Sequence, residues 1–248
     1  MSHHYRATPL PVKQYKFKQS SYQDVPVLPT RQLILAPSGS GKTVLLVGQI
    51  LDVFKDCFDA GCHIFSHSIN IDDQWRPVKQ HLEERGFAPE KYCHEKYDEE
   101  VLAKILAEQK QVIEYQKRKG HTKLFQLLII FDDMLDDQRL MRHSKQLEIL
   151  FVRARHLAIS TIVSVQKYRA VMPIVRVNTT DEIVFRLRNS HDLQAFIEES
   201  SALAPPDVLM DIYTRAISEP YGFMWLKKTA KNDNDIFHIG FNPGETIA

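Results

Sequence analysis

The sequence predicts an α/β fold, a central and mostly parallel sheet flanked by helices, with a C-terminal β-hairpin at one edge. Three observations carry this. Apolar runs such as LFQLLIIF (124–131) are continuous rather than alternating, as a parallel strand covered on both faces requires. Helical patterns separate these runs along the chain. A turn of small residues, APSGSGKT (36–43), joins the first apolar run directly to the first helical pattern.

Taken in order, residues 1–30 mix Pro, Lys, Tyr and Gln without a sustained period and read as an N-terminal arm, and 31–248 read as one domain. A chain of 248 residues, 44% hydrophobic and 25% charged, buries one good-sized core. RQLILA (31–36) reads as a buried strand. Leu45, Leu46, Ile50, Val53 and Phe54 give a helix over 43–55, and CHIFS (62–66) a second strand. A helix over 72–86 tolerates Pro77 only near its start. Leu102, Ile105, Leu106, Val112 and Ile113 face one way on a helix over 98–118 that stops at Gly120. A central strand (124–131), a helix around 139–155, strands at 158–166 and 182–187 and a helix near 191–200 follow. YGFMWLKK and DIFHIGFN, joined by TAKNDN, form the hairpin.

Composition narrows the function. A net charge of +1 gives no global basic field, so any contact with nucleic acid depends on local patches. No apolar run approaches the roughly 18 to 20 residues of a membrane span, and MSHHYRATPLPVKQYKFKQ lacks a signal-peptide core, so a soluble, unsecreted protein is expected. Cys57, Cys62 and Cys93 form no CxxC pair; they read as free thiols in a reducing compartment, with no metal cluster.

The turn matches the phosphate-binding P-loop pattern G-x-x-x-x-G-K-[ST] in the context the mechanism needs, strand before and helix after. Pro37, Ser38, Gly39, Ser40, Gly41, Lys42, Thr43 and Val44 are placed to wrap phosphates, with backbone N–H groups at every position except Pro37. Lys42 can reach the β and γ oxygens of a nucleoside triphosphate, and the Thr43 hydroxyl can hold Mg²⁺. Ala36 stands where the pattern has its first glycine, which is tolerable at negative φ. Asp132, ending LLIIFD, is expected to share the metal with Thr43, and Asp133 to orient or activate water. Asp136 and Asp137 read as helix-capping acids. Gln166 ends TIVSVQ and would share the sheet edge with Asp132 if the two strands are neighbours. The basic segment KRKGHTK (117–123) and the group Arg139, Arg142 and Lys145 are local patches of the kind that can meet nucleic-acid phosphates.

The ordered set APSGSGKT, FSHS, LLIIFDDM, RARHLAISTIVSVQ and PIVRVNTT resembles the poxvirus-type DNA-packaging ATPases of large DNA viruses, virophages and Polinton-like elements, within the FtsK and HerA class of P-loop motors. The resemblance covers roughly residues 31–190. It implies a strand inserted between the P-loop strand and the strand carrying Asp132, and catalytic roles for Lys42, Asp133 and Gln166. It also implies an arginine finger that completes a neighbouring subunit's site. Arg153 and Arg155 are the leading candidates, about 200° apart if both lie on a helix, with Arg176 third. The expected protein is an ATP- and Mg²⁺-dependent motor that drives double-stranded DNA into a capsid. Its expected partners are capsid proteins and its own copies, in a ring of five or six and away from membranes. It would work in the host cytoplasm or viral factory, or in association with the virion. A small-molecule kinase and a noncatalytic nucleotide switch for capsid assembly are the competing readings.

Overall fold

The computed structural model describes residues 13–134 and 144–241. The expectations for Asp136, Asp137, Arg139 and Arg142 fall outside them. The eight strands among the described residues form one sheet, β1 (Arg31–Leu35), β2 (Cys62–Ser66), β3 (Cys93–His94), β4 (Leu127–Asp132), β5 (Ile159–Val165), β6 (Asp181–Phe185), β7 (Phe223–Lys227) and β8 (Phe237–Ile239). Their order is β3-β2-β4-β5-β1-β6-β7-β8. Strands β1 to β6 run parallel, and β7 and β8 close the edge as an antiparallel hairpin. The inserted strand is present: β5 lies between β1 and β4.

Period-two alternation explains the two core layers. Leu127, Ile129 and Phe131 of β4 face one layer; Leu128 and Ile130 face the other. The second layer is covered by α1 (Lys42–Gly48, continuing as a π-helical segment Gln49–Val53) through Leu46 and Ile50, and by α2 (Arg76–Glu84) through Val78 and Leu82. Pro77 sits in the first turn of α2, after a short turn capped by Asp72. The first layer is covered by α4 (Glu99–Arg118), α5 (Lys145–Val152), α7 (Ser190–Ser200) and α8 (Pro206–Ala216).

Three refinements have physical causes. Val112 is 37% exposed, not inward; the buried stripe of α4 runs through Ile105, Gln109, Ile113 and Gln116. The two glutamines are buried because they serve backbone. Gln109 Nε2 donates to the Phe125 and Leu157 carbonyls, and Gln116 Oε1 accepts from Phe125 N. The central strand starts at Leu127 rather than 124, since Gln126 turns aside to donate to the carbonyls of Lys18 and Cys57. The helix expected around 139–155 is α-helical from Lys145 to Val152. Arg153, at φ −123°, breaks it, and a 3₁₀ turn Ala154–Leu157 follows. The short α3 (Pro89–Tyr92), α6 (Pro173–Asn178), α8 and the edge strand β3 lie outside the sequence expectation.

Candidate nucleotide site

The parallel strands bring the ends of β1, β4 and β5 to one edge of the sheet. The loop after β1 stays fastened there, because Ala36 N donates to the Val165 carbonyl at 2.9 Å. Ala36 is fully buried and outside the positive-φ region, so its methyl costs the loop nothing. The two conformationally demanding positions are glycines, Gly39 at φ +76° and Gly41 at φ +92°. Ser40 closes the turn by donating Oγ to the Pro37 carbonyl at 2.7 Å.

A cleft of about 850 Å³ opens at this edge, within the size range of small-molecule sites. Ser38, Gly39, Gly41, Lys42, Thr43 and Val44 line it together with Asp132 and Asp133. Pro37 and Ser40 instead line a neighbouring hollow with Arg186 and Arg188. Lys42 is 8% exposed, and its Nζ lies 2.8 Å from Asp133 Oδ2, yet it makes no hydrogen bond of good geometry. A buried ammonium with unused donors beside a polar cleft suits a phosphate.

Asp132 is 2% exposed. Its Oδ1 accepts from Ser164 Oγ at 2.5 Å and its Oδ2 from Ser66 Oγ at 3.3 Å. Burial pushes its pKa above the ordinary carboxylate range; the Ser164 hydrogen bond and Lys42 pull it back, and Asp133 pushes it up. A buried carboxylate in this condition suits a hard cation, with the Thr43 hydroxyl as a second oxygen ligand.

Asp133 takes a left-handed conformation, φ +52°, and its amide donates to Ser164. Gln166 Nε2 donates to both carboxylate oxygens of Asp133, at 2.9 and 2.7 Å. The two strands are neighbours as the expectation required, with Asp132 opposite Ser164. Gln166 is engaged with Asp133, so Lys42, Asp133 and Gln166 form one chain of contacts from three elements.

The arginines are placed differently. Arg153 and Arg155 are exposed and precede β5, so they sit at the opposite edge of the sheet from Gln166, which follows it. Seven strand residues at about 3.3 Å each put roughly 20 Å between them and their own cleft. With the helix broken at Arg153, the 200° separation does not apply. Arg176 is committed elsewhere: Nε donates to Glu199 at 2.9 and 3.1 Å, and its guanidinium lies over the Tyr168 ring. The Lys117–Lys123 segment reaches the same far edge, where Lys117 Nζ lies 3.5 Å from the His156 carbonyl.

Residues missed in the sequence include Ser66 and Ser164, which hold Asp132, and Phe185, Tyr221 and Phe223, which line the cleft. Ser164 had a signal: a polar residue inside an apolar strand, two positions before Gln166 and on its face.

Comparison with known proteins agrees with the fold. The genome packaging NTPase B204 from Sulfolobus turreted icosahedral virus 2 in complex with AMP superimposes with a TM-score of 0.57 at 14% identity, over 82% of this chain and 95% of that one. EssC (ATPases 2 and 3) from Geobacillus thermodenitrificans gives 0.52 at 16% identity, over 76% and 42%. At these identities the likeness shows the fold. Two uncharacterized proteins are related in sequence: 075L of Invertebrate iridescent virus 6, 22% identical over 147 residues, and 088R of Invertebrate iridescent virus 3, 23% identical over 150. The matches take in 59% and 60% of this chain but 55% of each relative, so the chain spans about half their length. Residues 15–205 match the Poxvirus A32 protein family across both carboxylates, Gln166 and the phosphate loop, and the chain belongs to that family.

Proposed function

We propose that the protein is an ATP-hydrolysing motor that translocates double-stranded DNA into a viral capsid. The observation that carries this is the buried Lys42 ammonium, without a hydrogen bond, held against Asp133 at the mouth of a cleft that also contains Asp132. A triphosphate entering the cleft competes with Asp133 for Lys42, since phosphate oxygens offer the donors better partners. Asp133, freed from Lys42 and still gripped by Gln166, then orients a water toward the γ-phosphorus and accepts its proton as the bond to the β–γ bridging oxygen breaks. Mg²⁺, held by Asp132 and Thr43, would supply charge neutralisation for the phosphates.

The roughly 20 Å between Arg153 or Arg155 and their own cleft supports action in trans. A neighbour would have to pack head to tail, the far edge of one sheet against the cleft of the next, and such a heterologous contact forms a ring when its rotation closes. Lys117, Arg118, Lys119 and Lys123 are the proposed contacts to DNA phosphates, and capsid proteins the proposed docking partners. Steady-state phosphate release with and without duplex DNA tests the reading. A motor is stimulated by DNA; hydrolysis indifferent to DNA overturns it. Chains carrying Lys42→Ala mixed with chains carrying Arg153→Ala or Arg155→Ala should regain hydrolysis that each lacks alone, because a trans arginine is worth about 10³ to 10⁵ in rate. Normal hydrolysis by both arginine variants alone removes them as fingers.

A further inference from the structure

The cleft has two chemically different ends. Asp132, Asp133 and Ser66 stand at the end beside β4 and β5. On the other side of β1, along β6 and β7, the wall is aromatic: Phe185 ends β6, Phe223 begins β7, and Tyr221 precedes it. Phe185 and Phe223 are register partners with ring centres 5.2 Å apart. Tyr221 is 72% exposed and sits at φ +63°, a conformation that a bulky side chain rarely adopts.

The turn around it is tightly packed. Gly222 N donates to the Glu219 carbonyl at 3.1 Å, and a Cβ on Gly222 would meet the Ala216 carbonyl oxygen at 2.4 Å. The Tyr221 ring is thereby set against the phosphate loop, where a Cβ on Gly41 would lie 3.0 Å from its Cδ1. Gly41 is therefore constrained twice, by its own φ of +92° and by this ring. A strained, solvent-exposed aromatic ring held against a phosphate loop contributes little to the core, but it lines the cleft, where a flat ring is available for stacking.

The direction of a bound nucleotide follows from the two ends. Its phosphates lie along the loop with the terminal one toward Asp132 and Asp133, so its nucleoside leaves on the β6 side. We infer that Tyr221, on the same aromatic wall of the cleft as Phe185 and Phe223, is the nucleobase platform of this site. The inference rests on the cleft being a nucleotide site and adds where the base is read. Stacking on an aromatic face is worth about five- to a hundredfold in affinity.

Calorimetric titration of the full chain with ADP and with inorganic tripolyphosphate tests it. Tyr221→Ala should weaken ADP about tenfold or more while leaving tripolyphosphate within twofold, and Tyr221→Phe should bind both as wild type does. Tyr221→Gly should weaken ADP equally yet raise the melting temperature of the nucleotide-free protein, because glycine accepts the left-handed backbone. ADP binding unchanged in Tyr221→Ala overturns the platform alone. Equal loss of both ligands overturns it too, assigning the ring to loop shape. A wild-type chain that binds neither ligand sinks the nucleotide reading, and the platform with it.

Discussion

Asp132 and Asp181 look alike in isolation. Both are 2% exposed, both lie at strand ends, and burial raises the pKa of both. Their surroundings separate them. Asp181, at the start of β6, accepts from Thr30 Oγ1 and Thr180 Oγ1, both at 2.7 Å, and from Trp225 Nε1 at 3.0 Å. Its oxygens are satisfied by the core. Asp132, at the end of β4, accepts one short bond and one long one and opens on the cleft with Lys42. Burial and a raised carboxyl pKa therefore do not identify a functional acid; unused oxygen lone pairs facing a cavity do.

The largest expected effect tests the cleft side of that contrast. Lys42→Ala should reduce hydrolysis to background, and Asp133→Asn should lower turnover by about 10² to 10⁴ while ATP still binds, because the shape remains and the proton acceptor is gone. Rapid-quench turnover beside equilibrium binding separates the two. Equal loss of binding and turnover in Asp133→Asn would make it a folding or metal residue instead.

The phosphate loop and the two carboxylates were legible because their chemistry is local in sequence. GSGKT needs only a strand before it and a helix after it, and LLIIFDD carries its burial in its own letters. Tyr221 was not legible. Its importance comes from a left-handed backbone and a ring set against Gly41, 180 residues away in the chain. The edge assignment of Arg153 and Arg155 depends on strand direction and on the break at Arg153, which a helical reading of VRARH conceals. Helix α8 was readable in principle, since Leu209, Ile212, Tyr213 and Ala216 follow a clean helical spacing.

The next effect is smaller and concerns Asp181. Asp181→Ala strips three buried donors of their acceptor and should cost about 3 kcal/mol, seen in urea unfolding as a lower midpoint with an unchanged slope. Hydrolysis per folded molecule should stay within about twofold. A loss of turnover matching that of Asp133→Asn would erase the distinction between the two acids.

The smallest effect runs the other way. Asp132→Asn keeps the amide oxygen on Ser164 and removes a charge that burial disfavours, so the nucleotide-free protein should gain about 1 kcal/mol, roughly 2–4 °C in Tm. The pH dependence has a definite sign. Because the folded pKa of Asp132 is raised, its charge destabilises the fold above that pKa, and the penalty disappears as pH falls through it toward the unfolded value near 4. The advantage of the asparagine should thus be full at neutral pH and shrink on acidification. Magnesium and ATP should reverse the order, since a ligand at 100 times its Kd adds about 2.7 kcal/mol to wild type and, if Asp132 holds the metal as proposed, little to the asparagine variant. Thermal melts of both proteins across pH, with and without the ligand, read all of this. If Asp132→Asn melts below wild type in the nucleotide-free state at neutral pH, its carboxylate is a satisfied structural group like Asp181, and the contrast between the two fails.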